Sequence, residues 1–373
     1  MLKTATALGG LLLLSACSSG SDPSNRAGAT TVKVTLNDKG CDLSSTSAPA
    51  GPVVFSVTNG GTSKVTEAEL MKGDRILGEK EDIAPGLDGS FTVQLVEGDY
   101  AFRCPGGTGP KDTSFTVTAG GTRTNAADAS AQAAAGAGYA DYVRAEVARQ
   151  VAATTRLTDA VRAGDLAAAA TAYPAARVNY EHIEPVAESF GTLDPALDAR
   201  LDDVPGMAQW SGYHRLEYAL FHARSLAGMR PVADRLDADV RTLQSLTATE
   251  TYDATTLANG ASELISEVGR SKITGEEERY AHCDFVDFQA NVDGARRAFD
   301  LLTPVLRTRD PALSARIGSA FDAVDAALQH YRTGAGPTAF KPYAATAAEQ
   351  HDLASVVDAL AEPLSQVAAR LVS

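Results

Sequence analysis

Along the first third of the chain apolar and polar residues alternate: Val32, Val34 and Leu36, then Val53, Phe55 and Val57, then Phe91, Val93 and Leu95. A period of two marks strands with one buried face, because successive side chains point to opposite sides. Asn59-Gly60-Gly61, Pro85-Gly86, Glu97-Gly98-Asp99 and Gly106-Gly107 interrupt these runs too often for long helices. The pattern predicts an all-β sandwich over residues 30–118. Residues 119–138 contain no aromatic or large aliphatic side chain, which predicts a linker. Beyond Tyr139 the period becomes helical. Val143, Val147, Val151, Thr154, Leu157 and Val161 recur at three- and four-residue steps, as do Leu313, Ile317, Phe321, Val324, Leu328 and Tyr331, and Leu353, Val357, Leu360, Leu364, Val367 and Leu371. With no alternating strand after residue 139, residues 139–373 are predicted to be an all-α helical bundle.

Two domains also suit the length, since 373 residues exceed what one hydrophobic core usually supports. A formal charge of -14 and a pI near 4.9 leave no basic stripe to neutralise phosphates. That argues against a nucleic-acid partner and suits cations better. The first residues carry a separate message: Lys3, an apolar run from Ala5 to Leu14, and Leu14-Ser15-Ala16-Cys17 resemble a bacterial lipobox. The run is shorter than the roughly 20 residues a spanning helix needs. The resemblance implies a signal peptide over 1–16, lipidation of Cys17, a flexible tether over 17–29, and a protein held on the membrane outside the cytoplasm. Export makes the remaining cysteines informative, since that compartment is oxidising. Cys41 and Cys104 could pair, leaving Cys283 odd.

Candidate chemistry concentrates in the helical part. Glu181 and Glu184 lie three apart, as do His214 and Glu217, and on a helix such pairs share a face. A carboxylate and an imidazole one turn apart is how helix bundles build metal sites. Asp198 lies between these pairs and Glu276, Glu277 and Glu278 follow them. Each pair alone is ordinarily solvated helix surface; their conjunction points to a shared cation.

Gly212-Tyr213-His214-Arg215-Leu216-Glu217 reproduces the GxHxxE motif of imelysin-like proteins, and the segments 173–191, 193–203 and 275–294 resemble the other blocks of that family in the expected order. The resemblance implies a metal site in a cleft between helix pairs. Glu181, Glu184, Asp198 and one of Glu276 or Glu277 would be carboxylate ligands, with His214 and Glu217 beside or within the site. Near His282 the family's usual hydroxyl and tryptophan give way to Cys283 and Val286. Carboxylates with one imidazole suit hard cations, so iron, more so ferric iron, is the expected ion.

Asp38–Cys41, Asn59–Glu69, Ile83–Gly86 and Gly98–Cys104 resemble the cupredoxin-like half of EfeO-type iron uptake lipoproteins. The β region contains no histidine, which disfavours a blue-copper centre. Two readings stay open there. Cys41, Glu67 and Cys104, with Glu69 or Asp99, hold copper or a second iron; or Cys41 and Cys104 form a disulfide. The EfeO resemblance implies a binding protein that captures iron and presents it to a membrane permease alongside a haem peroxidase. The alternatives are a metallopeptidase, for which the two-histidine H-E-x-x-H spacing is missing, and a polysaccharide-binding lipoprotein.

Overall fold

The structure is a computed structural model that describes residues 29–121 and 126–372. The segments expected to be a signal peptide and a tether, with Cys17 between them, lie almost wholly outside the described residues. Nine strands, β1 (Thr30–Asn37), β2 (Gly40–Leu43), β3 (Ser47–Pro49), β4 (Gly51–Asn59), β5 (Ala68–Lys72), β6 (Arg75–Lys80), β7 (Asp88–Leu95), β8 (Gly98–Arg103) and β9 (Asp112–Thr118), make two facing sheets. Their orders are β2-β1-β4-β7 and β3-β9-β8-β5-β6. The β1/β4 and β3/β9 pairs run parallel and the other ladders antiparallel. All nine residues expected to point inward are buried. They surround Phe55, whose ring lies 5.1 Å from Phe91, 5.0 Å from Phe102 and 5.4 Å from Phe115. The Asn59 turn is pinned by its buried side-chain amide, which donates to Thr62 O and Ile83 O and accepts from the Gly61 and Thr62 amides.

Cys41 on β2 and Cys104 after β8 are joined in a disulfide. Of the two readings left open, the structure takes the disulfide, and neither sulfur is free to bind a metal. Asp99 is a second departure: it is the second residue of β8, beside Thr116, while Glu69 pairs with Arg103 at the strand's other end, roughly 13 Å along the chain.

The helices are α1 (Ala126–Ala163), α2 (Leu166–Glu181), α3 (Leu193–Asp198), α4 (Gly212–Glu217), α5 (Arg230–Thr247), α6 (Ala254–Arg270), α7 (Asp284–Arg309), α8 (Pro311–Gln329), α9 (Ala347–Leu364) and α10 (Val367–Leu371). α1 packs on α2 and α5, α6 on α7 and α9, and α8 on α7 and α9. The stretch read as a linker is helical from Ala126 on, because its repeated alanines are the strongest helix formers. It is also anchored: Ala135 is buried and Gln132 donates to Leu371 O at 2.7 Å. Among the described residues no helix is long and apolar enough to cross a membrane.

The sandwich docks on the bundle through β6 and β7, which meet α6 and a 3-10 turn, Glu184–Phe190. Lys80 pairs with Glu263 at 2.8 Å, Arg270 with Asp82 at 3.0 Å, and Asn259 donates to Thr92 O at 2.8 Å. This polar seam places the open edge of the second sheet over the site described next.

The disulfide closes a loop of 63 residues, and loop-closure entropy sets its worth at about 4 kcal/mol. The Cys41→Ser/Cys104→Ser chain is expected to show an early unfolding transition in urea by circular dichroism, and an unchanged profile would count against that cross-link.

Candidate metal centre

Helix α2 is capped by Asp165, whose carboxylate accepts the Ala168 amide at 2.9 Å, and it carries Tyr173, Arg177 and Glu181 along one buried stripe. The helix stops at Glu181. The chain leaves it through His182 and Ile183 and enters the 3-10 turn Glu184–Phe190, which Pro185 can open because an amide hydrogen is not needed in a first helical turn. Glu181 and Glu184 therefore belong to successive elements rather than to one helical face. They still converge, because Asn291 of α7 donates to both, at 3.0 and 2.5 Å.

Gly212 explains the first letter of the motif. Its φ is +83°, and a Cβ there would sit 2.1 Å from Leu197 O, so only glycine lets α4 abut the end of α3. That contact brings His214 to Asp198. Within α4, His214 Nδ1 lies 3.1 Å from Glu217 Oε2, while the other Glu217 oxygen accepts the Tyr280 and Ala281 amides at 2.6 and 2.8 Å. Glu217 thus holds the ring, and Nε2 faces Asp198 Oδ1 and Glu277 Oε1, both at 3.6 Å. Nε2 is buried without a hydrogen-bond partner.

Asp198, His214 and Glu277 place one donor atom each within 4.8 Å of one another, and so do His214, Glu217 and Glu278. Of the residues expected from the sequence, Glu181, Glu184, Asp198, His214, Glu217 and Glu277 come together. Glu276 does not: it lies on the rim, 3.6 Å from Arg200. Sequence reasoning noted Glu278 without making it a ligand and missed Asp284 and Asp287, all three buried against the same cluster, and it missed the two cations inside it. Arg177 contacts Glu181, Asp198, Glu277, Glu278 and Asp287. Lys272 pairs with Glu184 and lies 3.8 Å from Glu181 and 3.9 Å from Glu277. Arg177 had a readable signal, being one turn before Glu181; Lys272 had none.

The imelysin family matches residues 135–367 and the cupredoxin-like domain family residues 5–115. "Iron uptake system component EfeO" of Yersinia pseudotuberculosis is 40% identical over 339 residues, covering 90% of each chain. The protein of the same name from Escherichia coli O157:H7 is 39% identical over 350 residues, covering 92% of each. The chain belongs to the EfeO family.

In this EfeO-family chain the cluster is short of positive charge. Glu181, Glu184, Asp198, Glu217, Glu277, Glu278, Asp284 and Asp287 face three fixed cations, Arg177 and Lys272 inside the cluster and Arg200 at its edge, 3.1 Å from Glu277. Burial pushes Glu181 and Glu278 well above the usual carboxylate range, with neighbouring carboxylates adding to it. Glu277 goes the other way. Against the cost of its burial, Lys272, His214 and Arg177 hold it well below that range. His214 is raised despite its burial, because Glu217 and Glu277 flank it. Glu278 Oε2, Asp284 Oδ2 and Asp287 Oδ1 have neither solvent nor a donor. Cys283 packs beside Val178, Val286 and Ala290, and burial pushes its thiol up.

The β domain contributes a different set from the one expected of it. Glu67 lies with Glu79 and Glu81, their oxygens within 4.8 Å. Burial, with Glu69 and Glu81 nearby, lifts Glu67 to about 9, and burial with Glu263 lifts Glu81 to about 7.

Burial raises Asp284 to about 6, above the unfolded value near 3.9. Its contribution to stability is thus complete below pH 4 and is lost as pH rises through 6. In metal-free protein, wild type should lose about 2–3 kcal/mol relative to Asp284→Asn between pH 4 and 7. Denaturant titrations at each pH measure this, and a constant difference would mean the carboxyl titrates normally.

Proposed function

We propose that this chain captures iron outside the cytoplasm and hands it to a membrane permease, holding the ion between Asp198, His214 and Glu277 with Glu181 and Glu184 at its flank. The observation that carries the reading is a buried carboxylate cluster with too few cations, facing an imidazole nitrogen that has no partner. A role in iron uptake is supported by the relatives, which are named as components of an iron uptake system. Oxygen donors with one imidazole favour ferric iron over softer ions.

Each residue then has a definable part. Glu217 fixes the His214 tautomer by taking the proton side of the ring, so that Nε2 is presented as a lone pair. Arg177 and Lys272 offset part of the negative charge in the absence of iron. Lys272 shares Glu181, Glu184 and Glu277 with the incoming ion and has to yield to it. A carrier must also release its cargo, and competition from a built-in ammonium keeps binding reversible. A single imidazole and no second histidine one turn away favour binding over peptide hydrolysis. Lipidation at Cys17 would keep the chain beside its permease and a haem peroxidase partner, as the lipobox-like leader and the EfeO resemblance imply. With the cysteines bonded to each other, a copper site built on them is not carried forward.

Calorimetric titration of the full chain with ferric nitrilotriacetate tests the assignment. The His214→Ala and Glu277→Gln variants, folded by circular dichroism, are expected to bind iron at this site at least tenfold more weakly than wild type. Undiminished affinity in both would sink it.

A further inference from the structure

Two openings lead toward Glu277. The wider is a cleft of about 290 Å³, walled by Glu188, Glu263 and Glu267 of the helical domain and by Glu79 and Glu81 of the β domain. A hard trivalent cation stays dissolved in neutral water only in the company of oxygen ligands, and its complexes with carboxylate chelators carry negative charge. An acidic cleft repels such a complex. The second opening is narrower and mixes charges: Arg200 and Arg279 line it with Trp210 and Tyr280, next to Glu276, Glu277 and buried His214.

Arg200 and Arg279 already face carboxylates, Glu277 at 3.1 Å and Asp202 at 2.8 Å. Arg215 does not. Its guanidinium carbon lies 5.8 Å from the Trp210 ring centre and 5.7 Å from that of Tyr218, and among the described residues no carboxylate forms an ion pair with it. Burial lowers its pKa, with the Tyr218 hydroxyl acting the other way. In a chain of formal charge -14, a half-buried guanidinium with stacked aromatic partners and no acid is an exception. Stacking fixes its plane while leaving its N–H groups to donate, and that fork matches a carboxylate.

The backbone is unusual at the same place. After α4 the chain makes one turn of π helix, Tyr218–His222, a rare form found mostly at functional sites. It stacks Tyr218 on His222 at 4.7 Å and sets both against Tyr280, at 5.2 and 5.3 Å. Trp210 joins the patch 5.9 Å from Tyr218, its indole N–H held by Ala199 O at 2.7 Å. One ring, Trp210, thus both stacks on Arg215 and lines the narrow opening to His214.

We propose that Arg215, held on Trp210 and Tyr218 and assisted by exposed Arg279, binds a small polycarboxylate anion of the class that chelates ferric iron. Two charge-assisted hydrogen bonds from one guanidinium to one carboxylate anchor the anion. The delivery role rests on the iron-capture reading above; the anion site itself does not.

Iron-free citrate, titrated into the full chain by calorimetry at constant ionic strength, tests the site. Trp210 is the only tryptophan in the chain, so its emission reports where the anion lands. Wild type should bind citrate saturably with a parallel change in emission. Arg215→Ala should weaken binding at least tenfold. Arg215→Lys, which keeps the charge and loses the planar fork, and Arg279→Gln, at an exposed position, should each weaken it at least threefold with circular dichroism unchanged. His214→Ala should retain citrate. No binding by wild type, equal affinity in Arg215→Lys and Arg279→Gln, binding without a change in Trp210 emission, or loss of citrate in His214→Ala overturns the proposal. A chain that binds citrate but takes no iron from ferric nitrilotriacetate supports the anion site and counts only against iron capture.

Discussion

Negative charge inside the helical domain exceeds the positive charge that faces it, and the surrounding structure is arranged around that imbalance. Carboxylates taken out of water repel one another and shed their charge unless cations or protons compensate. Arg177 supplies part of the answer by touching five acidic side chains at once, and Lys272 supplies another part. The remainder is left open beside His214, whose outward nitrogen has no partner. A binding site for a removable cation calls for such a balance: enough internal charge to keep the fold together when empty, and too little to satisfy it.

Holding this arrangement takes rigid supports. Asn291 clamps Glu181 to Glu184, the Tyr280 and Ala281 amides fix Glu217, and the Tyr213 hydroxyl is held by Gln150 and Thr154 of α1 beneath the Arg177 guanidinium. Groups fixed in this way lose little freedom when a ligand arrives. The docked sandwich adds a second function to the same support. It places Glu79 and Glu81 over the cleft, so the approach to Asp198 and Glu277 runs between two acidic walls from different domains.

Reading ran out where burial was polar. The strands of the sandwich were legible because each has one apolar face, and α1, α8 and α9 because their apolar stripes are clean. Helices α2 and α7 bury Arg177, Glu181, Asp284, Asp287 and Asn291 on the side that faces the core, which blurs the stripe a reader looks for. The start of α1 failed for the opposite reason: an alanine run has too little side chain to show a face, yet it is the best helix former available.

The sequence by itself determined the two-domain order, the strand faces, and the i, i+3 pairing of His214 with Glu217, because these depend on spacing of a few residues and on local backbone preference. Only the tertiary structure decided that Cys41 meets Cys104, that Glu277 rather than Glu276 turns inward, that Lys272 enters the carboxylate cluster, and that Glu79 and Glu81 face Glu188. Each of these depends on how elements far apart in the chain come to lie against one another, and neither spacing nor propensity encodes that.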